Sequence, residues 1–194
     1  MLVHYVDAVE PTLMRALVCL ALVAAGADGA TAQTRPEPSL DLSVGYQVMH
    51  IPGQTYPLGI SLEMSGALTS AVRIVAEAGA SIARRTISSY GAGTLTLYDY
   101  GGGPRVTARA GRALVYGQLL GGAVRTHAHL STASGAPFIE GDSAFMLQPG
   151  AGVIVPLTRK IAAIGEVNYQ RVFFKEYGGD NETRVFVGVR TAIR

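Results

Sequence analysis

The chain has 194 residues, a length typical of one domain plus a processing segment. Hydrophobic residues make up 48% of it and charged residues only 15%, below the roughly 25% of ordinary soluble domains. A net charge of +2 with no block of basic residues argues against a nucleic-acid-binding protein.

The first apolar segment is typical of a secretory signal peptide. Arg15 provides a charged start, residues 16–25 form an apolar run, and Ala30-x-Ala32 matches a cleavage pattern. A transmembrane helix needs about 20 apolar residues, so this run is too short to be one. The segment therefore predicts export.

These features give the expected organisation of the chain. We expect a cleavable signal peptide over residues 1–32, of which 1–13 is an extension upstream of the true start. A short periplasmic lead over 33–39 and one domain over 40–194 follow it. Cys19, the only cysteine, lies within the signal, so the processed chain has no thiol for a disulfide or a metal.

From Leu40 onward, apolar side chains recur at every second position, which is the period of a β-strand and not that of a helix. The fifth segment is ambiguous, because the sets containing Tyr116 and Leu119 are both apolar. Eight segments show the pattern: 40–49, 58–65, 72–83, 98–108, 114–125, 147–155, 161–170 and 184–194.

The polar face of these segments carries both signs of charge among small residues, whereas the other face is almost wholly apolar. This distribution favours a barrel with apolar side chains facing lipid and ionic ones inside, because eight strands leave just enough room for side chains. Asp41 belongs to the polar face as well. The candidates for lumen ion pairs are Glu63, Arg73, Glu77, Asp99, Arg105, Glu166, Arg184 and Arg190.

The connections between segments alternate in length. Short turns are expected at 68–71, 110–112 and 158–160, and longer loops at 50–55, 86–93, 126–143 and 175–181. Short periplasmic turns and long outer loops are typical of outer-membrane barrels. Aromatic residues that we expect in the interfacial girdle are Tyr46, Tyr56, Tyr98, Tyr100, Tyr169 and Phe173.

The signal, the eight alternating segments and stretches such as Tyr100–Arg105 and Gly121–Ala123 resemble the small outer-membrane β-barrel family of OmpA, OmpX and opacity type. The resemblance covers nearly all of residues 39–194. It implies an all-β, eight-stranded, antiparallel up-and-down transmembrane β-barrel in a Gram-negative outer membrane. It also implies lipid and lipopolysaccharide as partners, barrel-assembly machinery during insertion, a monomer, and a structural or surface-interaction role without a cofactor.

His127-x-His129 with Ser131 is the one candidate for catalysis or metal binding, in the segment expected to form the longest loop. Two histidines can share a metal, and a histidine–serine pair could serve a lipid-A-modifying enzyme. The sequence provides only the spacing of these residues, without a carboxylate to orient the histidine. We therefore favour an ordinary polar segment, with no catalytic residue, no metal site and no bound cofactor.

Two further alternatives concern the lumen. The inward charges could line a narrow gated pore, but an unpaired charge in a narrow barrel costs several kcal/mol, which favours a paired structural filling. A soluble lipid-binding barrel would need an apolar lumen and usually has a tryptophan near strand one. The chain has no tryptophan, and its predicted lumen is polar.

Overall fold

A computed structural model describes residues 40–87, 91–131, 137–174 and 178–193 of the chain. The expected signal peptide (1–32) and periplasmic lead (33–39) lie outside these ranges. Within them, no helix is long and apolar enough to cross a membrane.

The described residues form eight antiparallel strands, each paired with its neighbours in chain order, and β1 pairs with β8 to close a barrel. The expected up-and-down topology is therefore confirmed. Closure leaves no free sheet edge, which hydrocarbon could not solvate. The strands are β1 (Leu40–Ile51), β2 (Gln54–Ala67), β3 (Val72–Ile87), β4 (Gly91–Ala110), β5 (Ala113–Ser131), β6 (Pro137–Pro156), β7 (Ile161–Phe174) and β8 (Gly178–Ile193).

The two faces of the sheet are divided as the alternation predicts. Large apolar side chains are exposed outside, with Leu58 62%, Ile60 60% and Val187 61% accessible, while the charged set lies inside, buried except for the partly exposed Arg73. A water-soluble barrel would bury these side chains, so their exposure identifies a lipid-facing surface. The ambiguous fifth segment turns Tyr116 and Leu120 inward.

We call the end of the barrel that holds Leu40 and Ile193 the terminal end, and the opposite end the loop end. The turns 68–71, 111–112 and 157–160 lie at the terminal end, which agrees with the short turns expected there.

The prediction of long loops is wrong, because the strands continue through most of these four segments. In the segment 126–143, Thr126 pairs with Asp142 and His129 pairs with Ile139. Only residues 132–136 of that segment lie outside the described ranges. Backbone pairing continues beyond the apolar belt because an antiparallel ladder keeps satisfying its polar groups wherever the strands stay adjacent.

The other three segments are corrected in the same way. The segment 50–55 is strand except for a tight turn, in which Gly53 has a φ of 82°. Strand β3 continues to Ile87, and β8 begins at Gly178. With 20 residues each, β4 and β6 exceed the 9–11 or so that a tilted strand needs to span a bilayer.

One expected girdle aromatic, Tyr56, lies inside the barrel with only 4% of its surface exposed. The register explains this. Gln47 pairs with Gly59 but Met49 pairs with Tyr56, so two residues of β2 oppose one residue of β1. This bulge reverses the inside–outside alternation of β2 beyond it. Outward exposure is confirmed for the aromatics Tyr46, Tyr98, Tyr100 and Phe173, and Tyr169 is half-buried on the outward face of β7.

A charge on the outer face should destabilise the barrel according to its depth. We expect Val187→Arg, in the middle of β8, to cost about 2–4 kcal/mol, and Ile193→Arg, at the strand end, to cost about 1 kcal/mol or less. Urea unfolding from lipid vesicles measures both. Equal costs at the two positions would contradict the lipid-facing assignment of β8.

Candidate functional site

The lumen is the most elaborate polar site of the barrel, because all eight predicted ion-pair residues and Asp41 lie there. Their charged groups fall into three clusters, ordered from the terminal end to the loop end.

The first cluster lies at the terminal end. Asp41 of β1 accepts hydrogen bonds from Arg73 of β3 and from Nη2 of Arg190 of β8 (2.5 Å to Oδ2). Arg73 also donates from Nη2 to the backbone oxygen of Ser65 (3.0 Å). One carboxylate thus holds two guanidinium groups from strands on either side of it.

The second cluster surrounds Arg105 of β4, which is completely buried. Its Nη1 donates to Glu63 Oε1 (2.8 Å), and its Nη2 donates to Glu63 and to Glu166 Oε2 (3.1 Å). Its Nε donates to Gln118 Oε1 (2.8 Å), and its guanidinium carbon lies 4.0 Å from the centre of the Tyr116 ring. Planar guanidinium groups suit this many-sided contact.

The third cluster surrounds Arg184 of β8. Its Nη2 donates to Glu77 Oε2 (2.6 Å) and Glu166 Oε1 (3.2 Å), and its Nη1 donates to Asp99 Oδ2 (2.9 Å). Glu166 therefore accepts from both Arg105 and Arg184, and it joins the second cluster to the third.

Neutral side chains complete the network, and sequence reasoning missed their contribution. Tyr116 Oη donates to Glu166 Oε2 (2.6 Å), Gln148 Nε2 to Glu77 Oε1 (2.7 Å) and Gln47 Nε2 to Asp99 Oδ1 (3.1 Å). The alternation already placed Gln47 and Gln148 on the polar face of their strands. It could not place Tyr116, because both faces of the fifth segment are apolar.

An apolar cluster fills the lumen between the third ionic cluster and the loop end, and we call it the plug. Its principal members, Met49, Leu97, Met146 and Val172, are at most 1% exposed. The alternation of the sequence did not predict an apolar group inside the barrel. The plug consists of Met49, Tyr56, Ala83, Leu97, Val124, Ala144, Met146 and Val172.

Glycines make room for the bulky groups of the lumen. A Cβ atom at Gly152 would lie 2.4 Å from Tyr116 Oη, and a Cβ atom at Gly45 would lie 2.8 Å from the ring of Phe186. The glycines allow these rings to lie against the wall, because no side chain could fit between ring and backbone.

The histidine candidates lie on the outer surface, away from the ionic network. His127 is half-buried on the outward face of β5, and its ring packs edge-on against Tyr98 with centroids 5.8 Å apart. His129 is exposed on the same face, and the side chain of Ser131 lies outside the described set. In the described part of the chain, no three His, Cys, Asp or Glu side chains are grouped to hold a metal.

No protein-family model and no curated protein sequence matches this chain. Among solved structures, Ail of Yersinia pestis, determined with the heparin analogue sucrose octasulfate, is 18% identical and has a TM-score of 0.58. The match covers 81% of this chain and 100% of Ail.

Two other solved structures have the same architecture. Neisserial surface protein A is 10% identical with a TM-score of 0.58, over 82% of this chain and 99% of that one. The outer membrane protein AlkL is 12% identical with a TM-score of 0.51, over 86% and 95%. At these identities the likeness concerns the fold.

The chain folds as a small outer-membrane β-barrel. Its eight strands, closed topology and lipid-facing apolar exterior agree with the neighbours, which supports the expected location in a bacterial outer membrane.

Two glycines on neighbouring strands provide a matched test of lumen packing. Gly152→Ala should destabilise the barrel by about 1–3 kcal/mol, because its Cβ would meet Tyr116 and the backbone oxygen of Gly165. Gly165→Ala should cost less than about 1 kcal/mol, since its Cβ would meet open space. Both losses of stability are obtained from the urea concentration at the midpoint of unfolding, measured by the different gel mobilities of folded and unfolded protein. A larger loss for Gly165→Ala would contradict the packing.

Proposed function

We propose that this chain is a non-enzymatic outer-membrane protein that strengthens the envelope and makes contacts through its outer surface, with a filled lumen that does not conduct. The observation that carries the proposal is that three ionic clusters and the plug occupy the lumen. The family resemblance adds insertion by barrel-assembly machinery and a monomeric state.

A conducting pore would require water along the barrel axis. Here Arg105, Arg184 and Glu166 are at most 3% exposed, and Met49 and Met146 have no exposed surface. Each lumen guanidinium group that the structure describes donates to a carboxylate, so an ion that entered would have to break strong pairs.

Planar-bilayer recording tests the filled lumen. The wild-type barrel should remain silent, and so should Leu97→Ala, because one shortened side chain leaves the ionic clusters below the plug intact. Stable single-channel steps from the wild-type protein would contradict the proposal.

The outer surface at the loop end supports lipopolysaccharide as the partner. Arg84 and Arg125 are exposed on the outward faces of β3 and β5, and Arg125 is the register partner of Tyr98, an outward-facing aromatic. Aromatic residues mark the membrane interface, so these arginines lie where phosphorylated headgroups would be.

Substitution of these arginines tests whether lipopolysaccharide binds at the loop end. The double variant Arg84→Gln and Arg125→Gln should bind lipopolysaccharide vesicles more than about tenfold more weakly, because each arginine near an anionic surface contributes about 1 kcal/mol. Arg112→Gln, which changes an exposed arginine at the terminal end, is the matched control. Equal losses from the double variant and the control would argue against a site at the loop end.

The absence of enzymatic activity is also part of the proposal. The packing of His127 against Tyr98 supports a structural role for that ring. Mass spectra of lipid A from cells with and without the gene should be identical, and a gene-dependent change in acyl chains would contradict this part.

A further inference from the structure

One buried carboxylate of the lumen has no guanidinium partner. Glu182 lies on the inward face of β8 near the loop end and is 3% exposed. Its Oε2 has no hydrogen-bond partner in the described part of the chain. Each of the other five lumen carboxylates accepts from at least one arginine; these are Asp41, Glu63, Glu77, Asp99 and Glu166.

A second unmatched acceptor is next to it. Gln170 of β7 is the register partner of Glu182, is fully buried, and its Oε1 also lacks a donor among the described residues. Register partners on one face of an antiparallel pair have Cβ atoms roughly 4.5–5.5 Å apart. The two acceptors therefore share one small, buried region.

The orientation of the Gln170 amide is fixed by its neighbours. Glu77 accepts from Arg184 as a carboxylate, so Gln148 must turn its Nε2 toward it. Gln148 then presents its Oε1 to Gln170, whose Nε2 donates to it. The Oε1 of Gln170 is thus left as an acceptor, and rotating the amide would break the relay.

Among the residues that the structure describes, no positive charge compensates Glu182. The charged groups that act on it are Asp99 of β4 and Asp180 of β8, both negative. Arg184, next on the same face of β8, directs its guanidinium to Glu77, Asp99 and Glu166.

In the described residues of the two strands beside Glu182, β1 and β7, no charged group lies at its level. β1 turns Met49 and Ile51 inward, and β7 turns Val172 inward beside Gln170. The lumen side chains that the structure describes also carry an excess of negative charge: six carboxylates, including Glu182, against the four guanidinium groups of Arg73, Arg105, Arg184 and Arg190. An ionised Glu182 would be a buried charge without compensation, which proteins avoid.

We propose that Glu182 is protonated in the folded barrel at neutral pH and donates its proton to Oε1 of Gln170. One proton removes the uncompensated charge and supplies the donor that both oxygens lack. The pair then joins β7 to β8 beside the plug. Loss of the proton at higher pH leaves two acceptors facing each other, so the loop end of this hairpin loosens as pH rises.

Infrared spectra of the barrel in lipid bilayers test directly whether Glu182 is protonated. At pH 7 the difference between wild type and Glu182→Gln should contain the C=O band of a protonated carboxyl. Asp41→Asn, which removes a carboxylate paired with two arginines at the terminal end, is the control and should keep that band. Gln170→Leu should shift the band toward the frequency of a carboxyl whose proton has no hydrogen-bond acceptor. This variant replaces Glu182→Gln in the comparison if Glu182→Gln does not fold.

A stability measurement provides an independent readout. The unfolding temperature of the wild type should fall more than that of Glu182→Gln between about pH 5 and pH 8, because over this range the carboxyl holds its proton mainly in the folded barrel, whereas the glutamine does not titrate. The proposal is overturned if no Glu182-dependent carboxyl band is present, or if Gln170→Leu leaves the band unshifted. It is also overturned if K⁺ or Mg²⁺ instead raises the unfolding temperature of the wild type but not of Glu182→Gln, since a cation would then occupy the site.

Discussion

The barrel depends on the pairing of buried charges in a lumen that contains almost no exposed surface. Glu166 of β7 accepts from Arg105 of β4 and from Arg184 of β8, so one carboxylate connects strands on opposite sides of the barrel. Burying an ion costs several kcal/mol unless it is paired and hydrogen-bonded. The network therefore fixes which strands face each other, and a shift in register would leave charges unpaired.

The same constraint decides what the protein can do. Side chains of the network and the plug occupy the space that a transporter or pore would leave to water, and the glycines of the wall admit rings such as those of Tyr116 and Phe186. The proposed function therefore uses the lipid-facing exterior and the two ends. Exposed positive charge lies on those surfaces, at Arg84 and Arg125 beyond the apolar belt and at Arg112 in a terminal turn.

Much of the fold could be predicted from the sequence, because a period of two determines which face each side chain occupies. All eight ionic candidates, from Glu63 to Arg190, are inside for this reason. Tyr56 was placed on the wrong face because a bulge between β1 and β2 reverses the alternation. Pro57, one of the two bulge residues, is the local signal that could have indicated it. The prediction of a loop at 126–143 was wrong because backbone pairing beyond the membrane does not require an alternating apolar pattern.

The contacts within the site could not be predicted. Which guanidinium meets which carboxylate depends on the stagger of the strands around the barrel, and the sequence of one strand does not specify it. Arg105 meets Glu63 from a strand that is not its neighbour in the sheet. The unmatched pair of Glu182 and Gln170 became visible only with the register of β7 on β8.

A double-mutant cycle on Arg105 and Glu63 tests the central claim most directly. This pair is buried, and Glu63 accepts two bonds from the arginine. Arg105→Met and Glu63→Gln should each lower the free energy of unfolding by about 3–5 kcal/mol, and the double variant should lose clearly less than the sum. Strictly additive losses would mean that the two groups do not interact, and the account of a lumen held by paired charges would be wrong.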